Sequence, residues 1–291
     1  MLEYALLAGF LFGLYFSLVG LGLNLMFGVM RIVNLAHGDF LMLGGFTAYW
    51  LFTLFHINPM VTVLIAFVGF TVIGAPMYYL GAWRLATAKD PEMLSLIFFF
   101  GLAQVIEAAA TVAFGASQYS IPGVVLGAKP WSVLGQTFPA SWMITGIVSL
   151  VSIALLYVYL YHTRLGYLTR AVMASRDEAL STGINVHFVS SIAFGLSLGL
   201  AAVAGVFAPF MFGSILPSMG ASLNITAFAV IVVGALGQPL GTVLGGIIYG
   251  IGLMLMQTYF SSWANLLPYL LLILILLVKP TGLLGKKVRR A

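Results

Sequence analysis

The chain has 291 residues, of which 62% are hydrophobic and 7% are charged. A water-soluble domain carries roughly 25% charged residues, so this composition excludes an ordinary soluble fold. The net charge of +5 does not indicate nucleic-acid binding, because the basic residues flank apolar runs. The absence of cysteine excludes disulfides, thiolate catalysis and cysteine metal sites. Glu3 and the lack of an N-terminal basic cluster predict that the chain begins in a first span, not in a cleaved signal peptide.

Long apolar segments fill most of the chain. An apolar run of about 20 residues can cross the hydrocarbon core as a helix. Barrel strands would alternate apolar and polar residues, and these segments do not. The sequence therefore predicts an all-α fold, a polytopic transmembrane helical bundle of about eight to ten helices that occupies 1–291 as a single domain. The segments lie at about 4–28, 40–55, 60–82, 93–114, 142–161, 188–212, 222–236, 242–258 and 264–278.

Two of these segments, 41–55 and 225–236, are short and are interrupted or followed by glycine and proline. They are predicted to be broken or re-entrant helices, not full crossings. Each belongs to a stretch in which polar and glycine residues break an apolar run, 28–45 in the first half and 232–246 in the second. Discontinuous helices in matching positions of two halves often mark a transporter's substrate region. The likeness between the two stretches is too loose to establish a repeat.

Lysine and arginine are distributed unevenly between the two sets of loops, which predicts the orientation of the chain. Lys129 stands alone in one set. The other set is predicted to be cytoplasmic, including the C-terminal tail, and with about nine crossings the N-terminus lies outside. The cytoplasmic set consists of Arg31, Arg84, Lys89, Arg164, Arg170, Arg176, Lys279, Lys286, Lys287, Arg289 and Arg290.

The longest outward segment runs over about 115–141. Pro122, Pro130 and Pro139 are incompatible with a regular helix there. Trp131 and Trp142 are typical of the membrane–water interface. The segment is either a plain amphipathic loop or a docking surface for an external partner.

Polar residues between the first two apolar segments are the first candidates for function. Asn34, His37 and Asp39 lie in the stretch RIVNLAHGDF. His37 and Asp39 suggest a metal ligand pair or a proton relay, but no third ligand is obvious. The simpler interpretation is that Asn34 and Asp39 cap a helix start and a turn at the membrane face.

Glu107 is the second candidate, because it lies within an apolar helix with Gln104 one turn earlier on the same face. A carboxylate at membrane depth is costly and usually faces protein or a water-filled cavity. Asn34, His37, Gln104 and Glu107 are therefore candidates for a solute path. The alternative for Glu107 is a hydrated position near the outer interface.

Enzyme signatures are not found in the sequence. There is no G-x-S-x-G, no H-E-x-x-H and no cluster with zinc spacing, so no catalytic and no metal-binding residue is predicted. The tail GLLGKK lacks the four-residue spacer and the Ser or Thr of a phosphate-binding loop. The chain is not expected to bind ATP through that stretch.

The segment 163–186 is far more polar than its surroundings. Good helix formers over about 168–182 predict one short helix, and Gly183 is placed as its C-terminal stop. Small residues alternate with charges along it, which fits a helix parallel to the membrane that offers small side chains to a partner. An ordinary solvated loop helix is the alternative on physical grounds.

The same segment resembles the coupling loop of permeases in the branched-chain amino acid family of ABC importers. The stretches 22–45, 232–246 and KPTGLLGKK from Lys279 also look like this family, so the resemblance covers nearly the whole chain. The first-type membrane subunit of the permease pair is the more similar one, since the second is usually longer. In the coupling loop the matching residues are Thr163, Arg164, Gly166, Arg170, Ala171, Ala179, Gly183, Ile184 and Asn185.

The resemblance implies a permease that works with a second permease subunit, two ATPase subunits and an external solute-binding protein in the inner membrane of a bacterium. ATP and magnesium would then bind the partner ATPase, and this chain would carry no cofactor and contact no nucleic acid. The substrate would be a branched-chain amino acid, or urea, an amide or an aromatic acid as in relatives. An ion-coupled transporter or channel, or a scaffold subunit, is the alternative. The residues implied in ATPase coupling are Arg170, Ala171, Asp177, Glu178, Ala179 and Gly183.

Overall fold

In the computed structural model of the protein, residues 1–285 are described, and they form a helical bundle with one small hairpin. The helices are α1 (Leu2–Met30), α2 (His37–Phe55), α3 (Pro59–Met77), α4 (Trp83–Ala86), α5 (Pro91–Phe114), α6 (Ala140–His162), α7 (Arg164–Ala174), α8 (Arg176–Ser181), α9 (Val186–Phe212), α10 (Met219–Gly234), α11 (Pro239–Tyr259) and α12 (Leu267–Val278). A π-helical turn, Tyr78–Ala82, joins α3 to α4, and a 3-10 turn, Ser261–Leu266, leads into α12.

The predicted all-α membrane fold is confirmed. Among the described residues, 8 helical segments are long and apolar enough to cross a membrane, and α10 is a shorter apolar helix of 16 residues. Local signals set several helix starts. Asn58 accepts a hydrogen bond from the Met60 amide (2.9 Å) at the start of α3, and Asp90 accepts one from the Met93 amide (3.2 Å) at the start of α5.

The centre of the bundle is built from α1 and α9, which are apolar all round and are the two most buried spans. Glycines let neighbouring helices approach these two closely. On α11, Gly246 and Gly250 lie directly against the backbone of α1 at Ser17 and Gly13. On α9, Gly195 lies against the backbone of α3 at Thr71. The helices α3, α5, α6 and α12 are covered on fewer sides and present apolar faces outward.

Both short segments predicted to be broken helices begin inside the bundle. His37, the first residue of α2, places its Nε2 atom 3.1 Å from the carbonyl oxygen of Val19. Because Val19 lies about three turns before the end of α1, this start is on the order of 16 Å inside the bundle. The first turn of α10 lies against the first turn of α2, since Gly38 contacts the Gly220 carbonyl and Asn224. The two helix N-termini therefore meet in the interior.

In the irregular segment 31–36, which leads from α1 to α2, two backbone amides donate to side chains. The Val33 amide donates to Ser95 Oγ (2.9 Å), and the Ala36 amide donates to Asn34 Oδ1 (3.0 Å). Irregular backbone at membrane depth is tolerated only where it is buried in protein or lines a cavity. Asn34 and Ser95 are both 0% exposed, so the segment meets this condition.

The loop 115–139 contains no α-helix, as its prolines predict. It holds a 3-10 turn, Gly123–Val125, and a hairpin of β1 (Trp131–Val133) with β2 (Gln136–Phe138), in which Trp131 pairs with Phe138. The hairpin turn takes positive φ at Leu134 (49°) and Gly135 (77°). Tyr119 of this loop forms an antiparallel bridge with Ile215, which ties the loop to the segment before α10.

Candidate functional site

The polar segment 163–186 forms two helices, so the prediction of one helix over about 168–182 is wrong. The chain turns at Ser175, whose backbone is extended (φ −157°, ψ 116°) and whose Oγ accepts a hydrogen bond from the Glu178 amide (3.4 Å). Ser175 is therefore the N-cap of α8. The predicted stop is confirmed, because α8 ends at Ser181 and Gly183 takes a φ of +81°.

Helix α7 is fixed to the end of α6. Thr163 Oγ1 accepts a hydrogen bond from the Gly166 amide (3.0 Å), and Gly166 lies against the backbone of Tyr159. The Tyr159 hydroxyl lies 2.9 Å from Thr169 Oγ1, and Thr169 is fully buried. Helix α7 is therefore held against the end of α6 by hydrogen bonds and by close backbone packing.

The residues predicted for ATPase coupling fall into two groups. The guanidinium of Arg170 lies 4.4 Å from the ring centre of Tyr161 and 5.0 Å from that of Tyr167, so it contacts this chain's own aromatic rings. Ala171 is half-buried, and Ala179 is only 4% exposed because it packs against this chain. The exposed members are Asp177, Glu178 and Gly183, and the neighbouring Leu180 is 49% exposed.

A cavity of about 400 Å³ lies beside this segment. Its lining joins four parts of the chain: Arg31 at the end of α1, Met173 of α7, Gln238 between α10 and α11, and Thr281 after α12. These parts therefore lie at one end of the bundle. Arg31 also lines an adjoining cleft, together with Arg176.

Asn24 of α1 holds the turn between α10 and α11, a role that the sequence analysis missed. Its Nδ2 donates to the Gln238 carbonyl (3.0 Å) and to Thr242 Oγ1, and its Oδ1 accepts from the Gly237 amide. Asn24 is fully buried, and the signal in the sequence was a single amide within the apolar run of α1. The turn, α1 and Met173, which contacts Gly28, form one connected unit.

The segment after α12 docks onto the same unit. The Leu283 amide donates to the Val233 carbonyl (2.9 Å) and the Leu284 amide donates to the Gly234 carbonyl (3.1 Å). Both acceptors are C-terminal carbonyls of α10 that have no partner within the helix. Gly282, with φ +76°, lies against Ala235. The predicted cytoplasmic residues Lys286, Lys287, Arg289 and Arg290 lie outside the described residues.

The four residues predicted for a solute path lie in two places. Asn34 and His37 are fully buried beside the start of α2, and His37 packs against Gly22 of α1. On α5, Gln104 is exposed and Glu107 is half-buried. None of these four residues lines any of the five cavities described for residues 1–285.

The interpretation of Asp39 as a cap at the membrane face is wrong. The N-cap of α2 is Ala36, and Asp39 lies in the first turn of a helix that begins inside the bundle. Asp39 is 1% exposed, and neither carboxylate oxygen has a hydrogen-bond partner. Asn34 does fulfil the predicted turn role, through its bond from the Ala36 amide. Within residues 1–285, no three His, Asp or Glu side chains converge in a way that could hold a metal ion.

These observations define a multi-pass helical membrane protein. Two of its helices begin inside the bundle, and the polar helices α7 and α8 lie together at one end. The family described as "Branched-chain amino acid transport system / permease component" matches residues 5–276. The chain belongs to this family. It is a transport subunit and not an enzyme, and ATP hydrolysis in such transporters is carried out by separate ATPase proteins.

The chain is similar to two branched-chain amino acid permeases over nearly its whole length. The chain is 28% identical to the "High-affinity branched-chain amino acid transport system permease protein LivH" of Escherichia coli (strain K12), over 96% of this chain and 94% of the relative. It is 26% identical to the corresponding protein BraD of Pseudomonas aeruginosa, over 97% and 95%. The "Ribose import permease protein RbsC" of Escherichia coli is 27% identical, but over only 50% of this chain and 48% of the relative. No solved structure matches the chain.

Proposed function

We propose that this chain imports branched-chain aliphatic amino acids, such as leucine, isoleucine and valine, across the inner membrane of a bacterium. It acts with a second permease subunit, two ATPase subunits that bind ATP and magnesium, and an external solute-binding protein. The observation that carries the substrate class is the full-length likeness to LivH and BraD, in contrast to the half-length likeness to the ribose permease RbsC.

The coupling function is proposed for 163–186. Its exposed residues Asp177, Glu178, Leu180 and Gly183 are available to a partner, while α7 is joined to α6 through Thr163 and Thr169. A partner ATPase that pulls on α8 would therefore move α7, α6 and, through Met173, the end of α1. The loop 115–141 lies at the opposite end of the bundle and is the surface proposed for the solute-binding protein.

Uptake by the reconstituted complex tests this function. Proteoliposomes that contain both permeases and the ATPases, with the solute-binding protein outside, are expected to accumulate labelled leucine only when ATP and magnesium are present inside. A proton or sodium gradient alone is expected to give background uptake. Gradient-driven uptake without ATP would favour the ion-coupled alternative, and ATP-driven uptake of urea or an amide in preference to leucine would change the substrate class.

The orientation makes a separate prediction, because lysine and arginine are enriched in cytoplasmic loops. Thr182 and Ser132 are both exposed, at opposite ends of the bundle. The native chain has no cysteine, so single variants report one site each. An impermeant thiol reagent applied to intact cells is expected to label Ser132→Cys and to leave Thr182→Cys unlabelled until the cells are opened. The reverse pattern would invert the topology.

A further inference from the structure

The meeting point of α2, α5 and α10 contains polar groups that the packing of the bundle leaves unsatisfied. Asp39 is 1% exposed and Asn224 is 5% exposed, and Asp39 Oδ1, Asp39 Oδ2 and Asn224 Oδ1 have no hydrogen-bond partner. The Asp39 carboxylate lies against Gly220 in the first turn of α10. Glu107 lies seven residues before Phe114 on α5, so it is on the face of α5 whose Phe114 ring stacks on Phe46 of α2. We call Asp39, Glu107 and Asn224 the junction cluster.

The junction cluster lies well inside the bundle. The rings of Phe46 on α2 and Phe114 on α5 stack with centres 4.5 Å apart. Asp39 and Glu107 each precede those rings by about two helical turns, so they lie at a common depth, on the order of 10 Å in from the stacked rings. Helices α2 and α5 both run from these carboxylates towards the stacked rings, so Asp39 and Glu107 lie at the same depth in the membrane.

A buried carboxylate without a partner is expensive, because desolvation of the charge is not compensated. The N-terminus of α10 beside Asp39 offsets part of this cost through its positive end. The remaining cost would be offset by a bound group that carries positive charge or donates hydrogen bonds, because neither Asp39 oxygen has a hydrogen-bond partner. An apolar residue would fill the position at lower cost, so the carboxylate indicates a role in binding.

We propose that the junction cluster binds the α-ammonium group of the transported amino acid during its passage through the membrane. An ammonium has three N–H donors and no acceptor, and the cluster supplies three acceptor groups: two carboxylates and the amide oxygen of Asn224. Bonds of this kind between charged partners are the strong ones. Discontinuous helices that meet near the middle of a membrane are a known arrangement for substrate sites in transporters.

The junction is closed in this conformation, since Gly38 and Gly220 place α2 and α10 in direct contact. The solute gains access only when these helices separate. Leucine is therefore expected to bind and stabilise the arrangement in which the two helices are separated. This site rests on the amino-acid importer proposed above.

The test measures ligand binding without ATP or solute-binding protein, so it is independent of the uptake assay. The purified complex of this chain with its second permease and ATPases is heated with increasing leucine, or with 4-methylpentanoate, which is leucine without its ammonium group. Leucine is expected to raise the unfolding temperature and 4-methylpentanoate is not. In Asp39→Asn the apparent leucine affinity is expected to fall at least about tenfold, as loss of a charged hydrogen bond predicts.

Two further variants keep the result decisive if Asp39→Asn is poorly folded. Glu107→Gln and Asn224→Ala are also expected to weaken the leucine response. The matched control is Glu92→Gln, because Glu92 is an exposed carboxylate on the same helix as Glu107. This variant is expected to show the native rise in unfolding temperature with leucine.

Several outcomes would overturn the ammonium site. They are an unchanged leucine response in the three cluster variants, an equal response of the native complex to 4-methylpentanoate, and no response of the native complex to leucine. ATP-driven leucine uptake would stand in each of those cases, so failure of the site is distinguishable from failure of the proposed function.

Discussion

Leu180→Asp is expected to lower the amount of ATPase that co-purifies with the permease by tenfold or more, with normal abundance of the permease in the membrane. Leu180 is the large apolar side chain on the exposed face of α8, where it is 49% exposed beside Asp177 and Glu178. Burying a new carboxylate in an interface without a partner costs several kcal/mol, and about 1.4 kcal/mol is a factor of ten in affinity. The measurement is quantitative co-purification, followed by ATP hydrolysis in reconstituted vesicles.

Leu165→Asp is the matched control. Leu165 is 37% exposed in the first turn of α7, where a carboxylate is favourable for the helix. It lies on α7 and not on α8, the helix that is proposed to contact the ATPase. Full ATPase retention is expected for this variant. Normal retention in Leu180→Asp would show that α8 is not the docking element, and the coupling role of 163–186 would then lose its main support.

Substitutions elsewhere in the segment have different meanings. Gly183→Leu forces a side chain into a left-handed conformation and adds roughly 1–2 kcal/mol of strain at the end of α8. Ala179→Trp would disturb the permease itself, because Ala179 packs inside this chain. Leu180→Asp is therefore the cleaner probe of the partner contact.

Gly246→Leu is expected to prevent correct assembly of the bundle, and Gly246→Ala is expected to destabilise it by about 1–3 kcal/mol. A β-carbon on Gly246 would lie 2.7 Å from the Cα atom of Ser17, which belongs to the most buried part of α1. Backbone atoms cannot move aside as a flexible side chain can, so α11 would be displaced from α1. The measurement is the unfolding temperature of the purified chain in detergent, together with its abundance in the membrane.

The control is Gly101→Ala on α5, where a β-carbon would meet no atom within 4 Å. Alanine favours helix over glycine by up to about 1 kcal/mol, so this variant is expected to be as stable as the native chain or slightly more stable. Equal stability of Gly246→Ala and Gly101→Ala would show that close contact between α1 and α11 is not required.

The spans, their order and the polar segment 163–186 could be predicted from the sequence, because they depend on local composition. Each long apolar run must form a helix in lipid, whatever its neighbours are. The predicted segment 188–212, for example, is α9 (Val186–Phe212), and 142–161 is α6 (Ala140–His162). The capping pattern of Ser175 with Glu178 was also present in the sequence and would have predicted the division between α7 and α8.

The partners of the polar residues were decided only by the tertiary structure. Asn24 binds a turn more than 200 residues further along the chain, as the separation of 214 from Gln238 shows. Asp39 looked like a cap beside the membrane face, but the irregular segment before α2 carries it into the interior, against α10. Hydropathy records the preference of a residue for lipid, whereas the depth and the partner of a buried polar side chain depend on how distant helices pack.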